Sequence, residues 1–409
     1  MKTLRFTLPA LLCGTLAVAG VVWSLGRAAE PAAAPQNAPA AAPFTIHEWG
    51  TFTSFSGSDG VPAHFTPNYT DLPEFIYSQS GPDEGKGGRL LRDGTVSMET
   101  PVLYFYTDRA MKASVTVGFP KGWITEWYPF AAMEPAPNAR RTPGQTMRWD
   151  VRLMPGEKMD LPGNPKVKNH YFHARETDSV PLQTEVIPQE NERNRNYDLR
   201  GGSVVQREKF LFYRGVGTFP PPVTLKALGG GDVRISSPAG SVDGLVLVHV
   251  ENGKVGFKAL GNLAAGGELR AAIPAAEGIK QDLAEAMVKE LTAAGLFEKE
   301  ARAMVKTWDS AWFGEAGTRL LYLVPRAKTD ELLPLTISPK PTEVTRVLVG
   351  RHDFLTPEQE AVAEKLVKRS RAARAELNAA ESELQKIGRF EQQARQQAEK
   401  RLDATAARR

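Results

Sequence analysis

The spacing of apolar residues along this chain changes character three times. From Phe44 to about Pro274 apolar positions come in short runs rich in aromatic and β-branched residues. Examples are "FTIHEWGTFTSF" (44–55), "VSMETPVLYFYTD" (96–108), "ASVTVGFP" (113–120), "WITEWYPF" (123–130) and "SVVQREKFLFYRGVGTF" (203–219). Glycine and proline break these runs, the pattern of short strands joined by turns. In "GLVLVHVENGKVGFKAL" (244–260) the pair Asn252-Gly253 separates two apolar runs, which predicts a type I′ hairpin because both central residues must take positive φ.

From about Gly278 the period lengthens. Ile279, Leu283, Met287, Leu291 and Ala294 recur every three or four residues, as do Ala301, Met304, Val305, Trp308 and Trp312. Two helices with Gly295 as the stop between them are expected, forming a helical hairpin. "TRLLYLVPR" (318–326) and "TRVLVGRHDF" (345–354) read as strands again. At "TPEQE", Thr356 is an N-cap, Pro357 suits the first helical position and Gln359 completes a capping box. A helix-forming composition then runs to about Arg401, with a decaying stripe of Leu377, Ala380, Leu384 and Ile387.

The predicted fold class is therefore α+β: an antiparallel β-sandwich-like N-terminal domain, a helical hairpin with short strands, and a long C-terminal helix. The expected boundaries are a leader at 1–28, an Ala/Pro-rich spacer at 29–43, a β-rich domain at 44–275, the hairpin unit at 276–355 and the charged helix at 356–409.

The leader changes the picture most. Lys2 and Arg5 precede an uncharged stretch from Phe6 to Gly26, and Gly26-Arg27-Ala28 offers a small-x-small cleavage site. This is the layout of a secretory signal peptide. The stretch is also long enough to span a bilayer of about 30 Å as an uncleaved anchor. The expected location is exported, periplasmic or extracellular, with the membrane touched only through this segment. The one cysteine, Cys13, lies inside the leader. Disulfides, thiolate catalysis and cysteine zinc sites are thereby excluded from the exported body.

With 42% apolar and 24% charged residues, the composition is that of a globular protein. The formal charge of +4 falls to roughly +1 without Lys2, Arg5 and Arg27, so there is no basic footprint of a nucleic-acid binder.

Candidate chemistry rests on three strand carboxylates. Alternation puts Phe44, Ile46, Glu48 and Phe52 on one face of the first strand, and His47, Trp49, Thr51, Thr53 and Phe55 on the other. His47 and Glu48 are thus expected to part company. Glu99 and Glu126 likewise alternate onto aromatic faces. A carboxylate buried there is costly unless paired, metal-bound or protonated, so Glu48, Glu99 and Glu126 are candidate catalytic acids, with pairing to an arginine as the plain alternative.

In "NHYFHARETD", His170, His173 and Glu176 recur every three residues, and on a helix they would share a face as candidate ligands for a divalent metal. No other cofactor is expected: phosphate-binding loops, dinucleotide fingerprints and nucleophile elbows do not occur. Trp123, Trp127 and Tyr128 form the densest aromatic cluster and are a candidate binding surface.

Two functions follow as expectations. The first is an exported envelope protein with a non-catalytic binding or assembly role, with a protein partner at the C-terminal helix. The second is an exported hydrolase or lyase, metal-dependent in one form, using Glu48, Glu99 and Glu126 with some of His47, His64, His170 and His173.

Overall fold

The computed structural model describes residues 43–63, 72–79, 96–135, 143–164, 167–186, 204–372, 377–385, 387 and 390–407. Ala42–Arg409 make one compact unit. The expected leader and cleavage site, the spacer up to residue 42 and His64 lie outside the described residues.

The chain is mixed α/β and mostly sheet. A nine-stranded sheet forms its centre. In spatial order its strands are β14 (Lys254–Leu263), β13 (Val242–Glu251), β16 (Gly317–Leu323), β18 (Glu343–Phe354), β1 (Thr45–Ser56), β3 (Val96–Tyr106), β10 (Leu211–Gly217), β5 (Gly122–Tyr128) and β2 (Tyr77–Ser78). Every pairing in it is antiparallel except β1 with β18, which run parallel from Thr45↔Glu343 to Ser56↔Phe354. Parallel neighbours need a long connection between them, and here nearly the whole body is that connection.

The segment 276–355, expected as a unit of its own, shares this sheet: β16 and β18 lie between β13 and β1. Periodicity reports which residues form a strand and is silent about which distant strand it joins.

A six-stranded sheet is built from β17 (Leu335–Ser338), β4 (Met111–Phe119), β7 (Gln145–Leu153), β8 (Leu182–Val186) and β9 (Val204–Glu208), with β6 (Ala132–Glu134) on β7. In β7, Met147, Trp149 and Val151 are buried while Arg148, Asp150 and Arg152 are exposed. This is the alternation of a sheet with one wet face. Its dry face meets the central sheet, where Phe119 and Trp149 lie 5.7 and 6.1 Å from the ring of Tyr213 on β10. A third sheet joins β11 (Thr224–Gly229), β12 (Asp232–Ser236) and β15 (Glu268–Ala272).

The β13–β14 hairpin turns at Asn252 and Gly253, with φ of 51° and 75°, as the sequence predicts. The helical hairpin is present as α1 (Lys280–Ala293) and α2 (Glu298–Asp309), with Gly295 between them at φ 106°. Ile279 misses the buried stripe and is 63% exposed.

The expected long C-terminal helix is instead three: α4 (Pro357–Ala372), α5 (Leu377–Gln385) and α6 (Glu391–Ala406), preceded by a short α3 (Arg326–Leu332). The capping box at its start forms, with Thr356 N on Gln359 Oε1 at 2.9 Å and Gln359 N on Thr356 Oγ1 at 3.3 Å. Arg371 and Asp403 would stand about 48 Å apart on one straight helix, yet their side chains bond at 2.8 Å. Of the stripe, Ala380 and Leu384 are fully buried in the cluster formed with α4 and α6, and there the chain closes on itself.

Candidate functional site

β1 is buried on both faces, and its odd and even residues meet different surroundings. His47 pairs in register with Tyr104 of β3, and residues directly opposite share a face. The Tyr104 hydroxyl donates to Ala174 O at 2.7 Å, and His47 Nδ1 lies 2.6 Å from Glu300 Oε2 on α2. That face therefore looks toward the helical layer. Glu48 looks the other way. It accepts from the Tyr213 hydroxyl and from Arg346 Nε, and both ionic side chains are fully buried. Arg346 also donates to Asp330 at 2.7 Å. Burial, and then the charge of Glu48, hold the Tyr213 proton well above its ordinary range. The His-Glu dipeptide is split as alternation requires, and each member has its own partner.

Further along the even face, His352 of β18 lies beside Ser54 and Ser56 of β1. Its Nδ1 is 2.8 Å from Ser54 Oγ and its Nε2 is 2.9 Å from Ser56 Oγ. Burial pushes the imidazole down to about 4, against an opposing pull from Asp353. The ring is thus neutral at physiological pH, with one nitrogen donating and the other accepting.

The odd face carries a row of charge across six adjacent strands. Arg319 of β16 is opposite Asp353 of β18, and their side chains are 3.1 Å apart. Arg351 binds Asp353 at 2.6 Å and Glu315 at 2.6 Å, and stands opposite Thr53. Thr53 donates to Glu99 of β3 at 3.3 Å. The pair Met98↔Gly215 sets Glu99 and Arg214 one step along on neighbouring strands, and Arg214 is opposite Glu126 of β5. Arg214 Nη2 then reaches His170 Nε2 at 3.5 Å, and the His170 ring is 6.3 Å from Trp308 of α2. Every strand member of the row is at most 5% exposed. A π-helical turn, Ser310–Gly314, caps one end: Arg319 donates to the carbonyls of Ala311 and Trp312 at 2.7 and 3.0 Å.

Two of the three candidate acids are thus brought to one face. Glu99 and Glu126 stand two strands apart, about 9.5 Å between backbones, with Arg214 between them. Glu48 is on the opposite face and about three residues, or about 10 Å, along from Glu99. The arginine that pairs with Glu48 comes from 298 positions away. The row's cations were legible by the signal that picked out the acids, a charge inside an apolar strand. It marks Arg214 in "FLFYRGVG", Arg319 in "TRLLYL", and Arg351 with Asp353 in "GRHDF".

The other two candidate sets do not form sites as expected. Trp123, Trp127 and Tyr128 are 8%, 2% and 4% exposed, with Trp127 beside Tyr77 and Tyr128 beside Phe75, so they close the interior and offer no surface for stacking. β5 is covered on both faces, which alternation alone does not reveal. His170 and His173 lie in a 3-10 turn, His170–Arg175, where residues three apart eclipse. Glu176 binds His173 Nδ1 at 2.9 Å and Lys306 Nζ at 2.7 and 2.8 Å, so a cation of α2 already holds the carboxylate. Among the described residues no three His, Cys, Asp or Glu side chains are grouped to hold a metal ion.

No family model matches the chain. No curated protein matches it either. Among solved structures a match is found to the yeast delta-COP-I mu-homology domain complexed with a Dsl1 WxWxV peptide, at 8% identity over 77% of this chain and 98% of that one. The TM-score of 0.26 is too low for any argument to rest on this likeness.

Proposed function

We propose that the chain is an exported cell-envelope protein with a non-catalytic binding or assembly role, its body a sandwich-like pairing of the nine- and six-stranded sheets. The observation that carries this is the commitment of its titratable strand residues to fixed partners inside the fold. Glu48 is held by Arg346 and Tyr213, His47 by Glu300, His352 by two serines, and Asp353 by two arginines. A general acid or base must come within hydrogen-bond reach of its substrate, and these groups are sealed. Export is supported by the leader pattern of Lys2, Arg5 and the uncharged stretch to Gly26. Among the described residues no helix is long and apolar enough to cross a membrane. A protein partner at the C-terminal helices would meet their charged outer faces, since Leu384 and Ala380 are turned inward.

The second reading, an exported hydrolase or lyase, is favoured by one observation: Glu99 and Glu126 flank Arg214 on a single face, with His170 beside it.

Glu126→Gln separates the two. Under the binding reading the variant has a lower Tm, and both proteins leave a panel of chromogenic esters, glycosides and peptides at background. Turnover by the native protein that drops about a hundredfold or more in the variant at unchanged Tm replaces it with the second reading. Fractionation with N-terminal sequencing should find a species beginning just after residue 28 outside the cytoplasm. A full-length cytoplasmic species rules out export.

A further inference from the structure

The charged row comes to the surface beside the π-helical turn. Arg319, Arg351 and Asp353 are 0%, 1% and 3% exposed, whereas the side chain of Glu315 is 31% exposed. Glu315 lies between the π-helical turn and β16, and its backbone is fixed on both sides. Its N–H donates to Ser310 O at 2.9 Å, and its carbonyl accepts from Arg319. The neighbouring Gly314 and Ala316 are small and exposed. The Glu315 side chain can therefore turn out into water about its own single bonds, with the backbone in place.

The guanidinium that it would leave is only partly used. Arg351 forks onto Asp353 through Nε and Nη2, at 2.6 and 3.1 Å. Nη2 also donates to Glu315 Oε2 at 2.6 Å. Nη1, on the same guanidinium, is buried and has no hydrogen-bond partner. A buried donor without an acceptor is destabilising and points to a role or a ligand. Burial opposes the charge of Arg351, and Asp353 and then Glu315 more than offset it. Glu315 thus brings a negative charge from the surface through one bond, where Nη1 and Nη2 together offer two. Carboxylates and phosphates take an arginine best through two parallel bonds.

We propose that Arg351 is the base of an oxyanion site that Glu315 occupies from within the chain. A ligand carrying a carboxylate or a phosphate enters as the Glu315 side chain turns out, and takes Nη1 and Nη2 together. Arg319, 3.1 Å from the same Asp353, adds a second positive charge behind the site. The site goes beyond both readings of function and depends on neither.

Thermal unfolding of the full chain in acetate and, separately, in inorganic phosphate tests it, at a fixed ionic strength set with chloride. Glu315→Ala opens the site. Its Tm should rise with either anion at concentrations at least about tenfold below those that act on the native chain, where the tethered carboxylate competes. A rise with only one of the two anions names the ligand class. Adding Arg351→Lys, which keeps the charge but loses the fork, should abolish the gain. In the native chain excess acetate or phosphate should shift the amide resonances of Glu315 and Ala316, a reading that stands even if the variant does not fold. Three outcomes overturn the proposal: a Glu315→Ala chain that gains no more than the native one, a gain that survives Arg351→Lys, or native resonances that stay fixed.

Discussion

On the even face of β1 the polar groups form short, separate sets: His352 with two serines, and Glu48 with Tyr213 and with Arg346, which also reaches Asp330. On the odd face, Thr53 lies inside a row in which charge passes from Arg319 through Asp353, Arg351 and Glu99 to Arg214 and Glu126. Both faces are dry, so the contrast is one of connectivity. A buried pair with few other partners loses most when one member goes, because the survivor's charge is left short of an opposite one. A member of a row leaves neighbours that still have other partners.

The largest expected effect breaks the isolated pair. Glu48→Gln keeps the shape and the bond from Tyr213 but takes from Arg346 its one fully buried anion, leaving it the half-exposed Asp330, and should cost about 3–5 kcal/mol in urea unfolding. Adding Arg346→Met should return most of that loss, since the pair is then gone as a unit. If the double variant is as unstable as the single, the bond of Arg346 to Asp330 matters as much as that to Glu48, and the contrast between the faces fails.

Next in size is the pH dependence of the same face. His352 is depressed to about 4 in the folded protein from its ordinary 6.5. The unfolded chain therefore binds the proton first as pH falls. The stabilisation is complete above about pH 6.5 and is lost progressively down to about pH 4, amounting to about 3 kcal/mol. His352→Gln should flatten that part of the stability profile between pH 6.5 and 4. A slope unchanged in the variant would show that His352 is not the group responsible.

The smallest effect belongs to the row. Thr53→Val removes the hydroxyl that donates to Glu99 and should cost about 1–2 kcal/mol. A loss as large as that of Glu48→Gln would mean that Glu99 depends on Thr53 alone, and the row would dissolve into separate pairs.

Much of this was legible locally. The parting of His47 and Glu48 follows from strand geometry, the turn at Asn252-Gly253 from the need for positive φ, and α1, α2 and the Thr356 cap from period and capping chemistry. The metal reading of His170, His173 and Glu176 had the right spacing, but Lys306 arrives on a helix 130 residues later and holds the carboxylate. The aromatic reading of Trp123, Trp127 and Tyr128 had the right residues, but their exposure depends on what covers them. The C-terminal stripe was real, and the chain folds it against itself.

What the sequence determined by itself is what neighbours along the chain decide: strand or helix, turn and cap, which side chains share a face, and the exclusion of thiol chemistry from the body. What only the tertiary structure decided is which strands stand side by side. The parallel pairing of β1 with β18 brings Arg346 to Glu48 and Arg351 to Thr53 across 298 positions. The antiparallel run of β3, β10 and β5 sets Arg214 between two glutamates. Backbone pairing is nearly indifferent to sequence separation, whereas a buried charge is stable only where an opposite one meets it. The partners of these acids were therefore settled by topology.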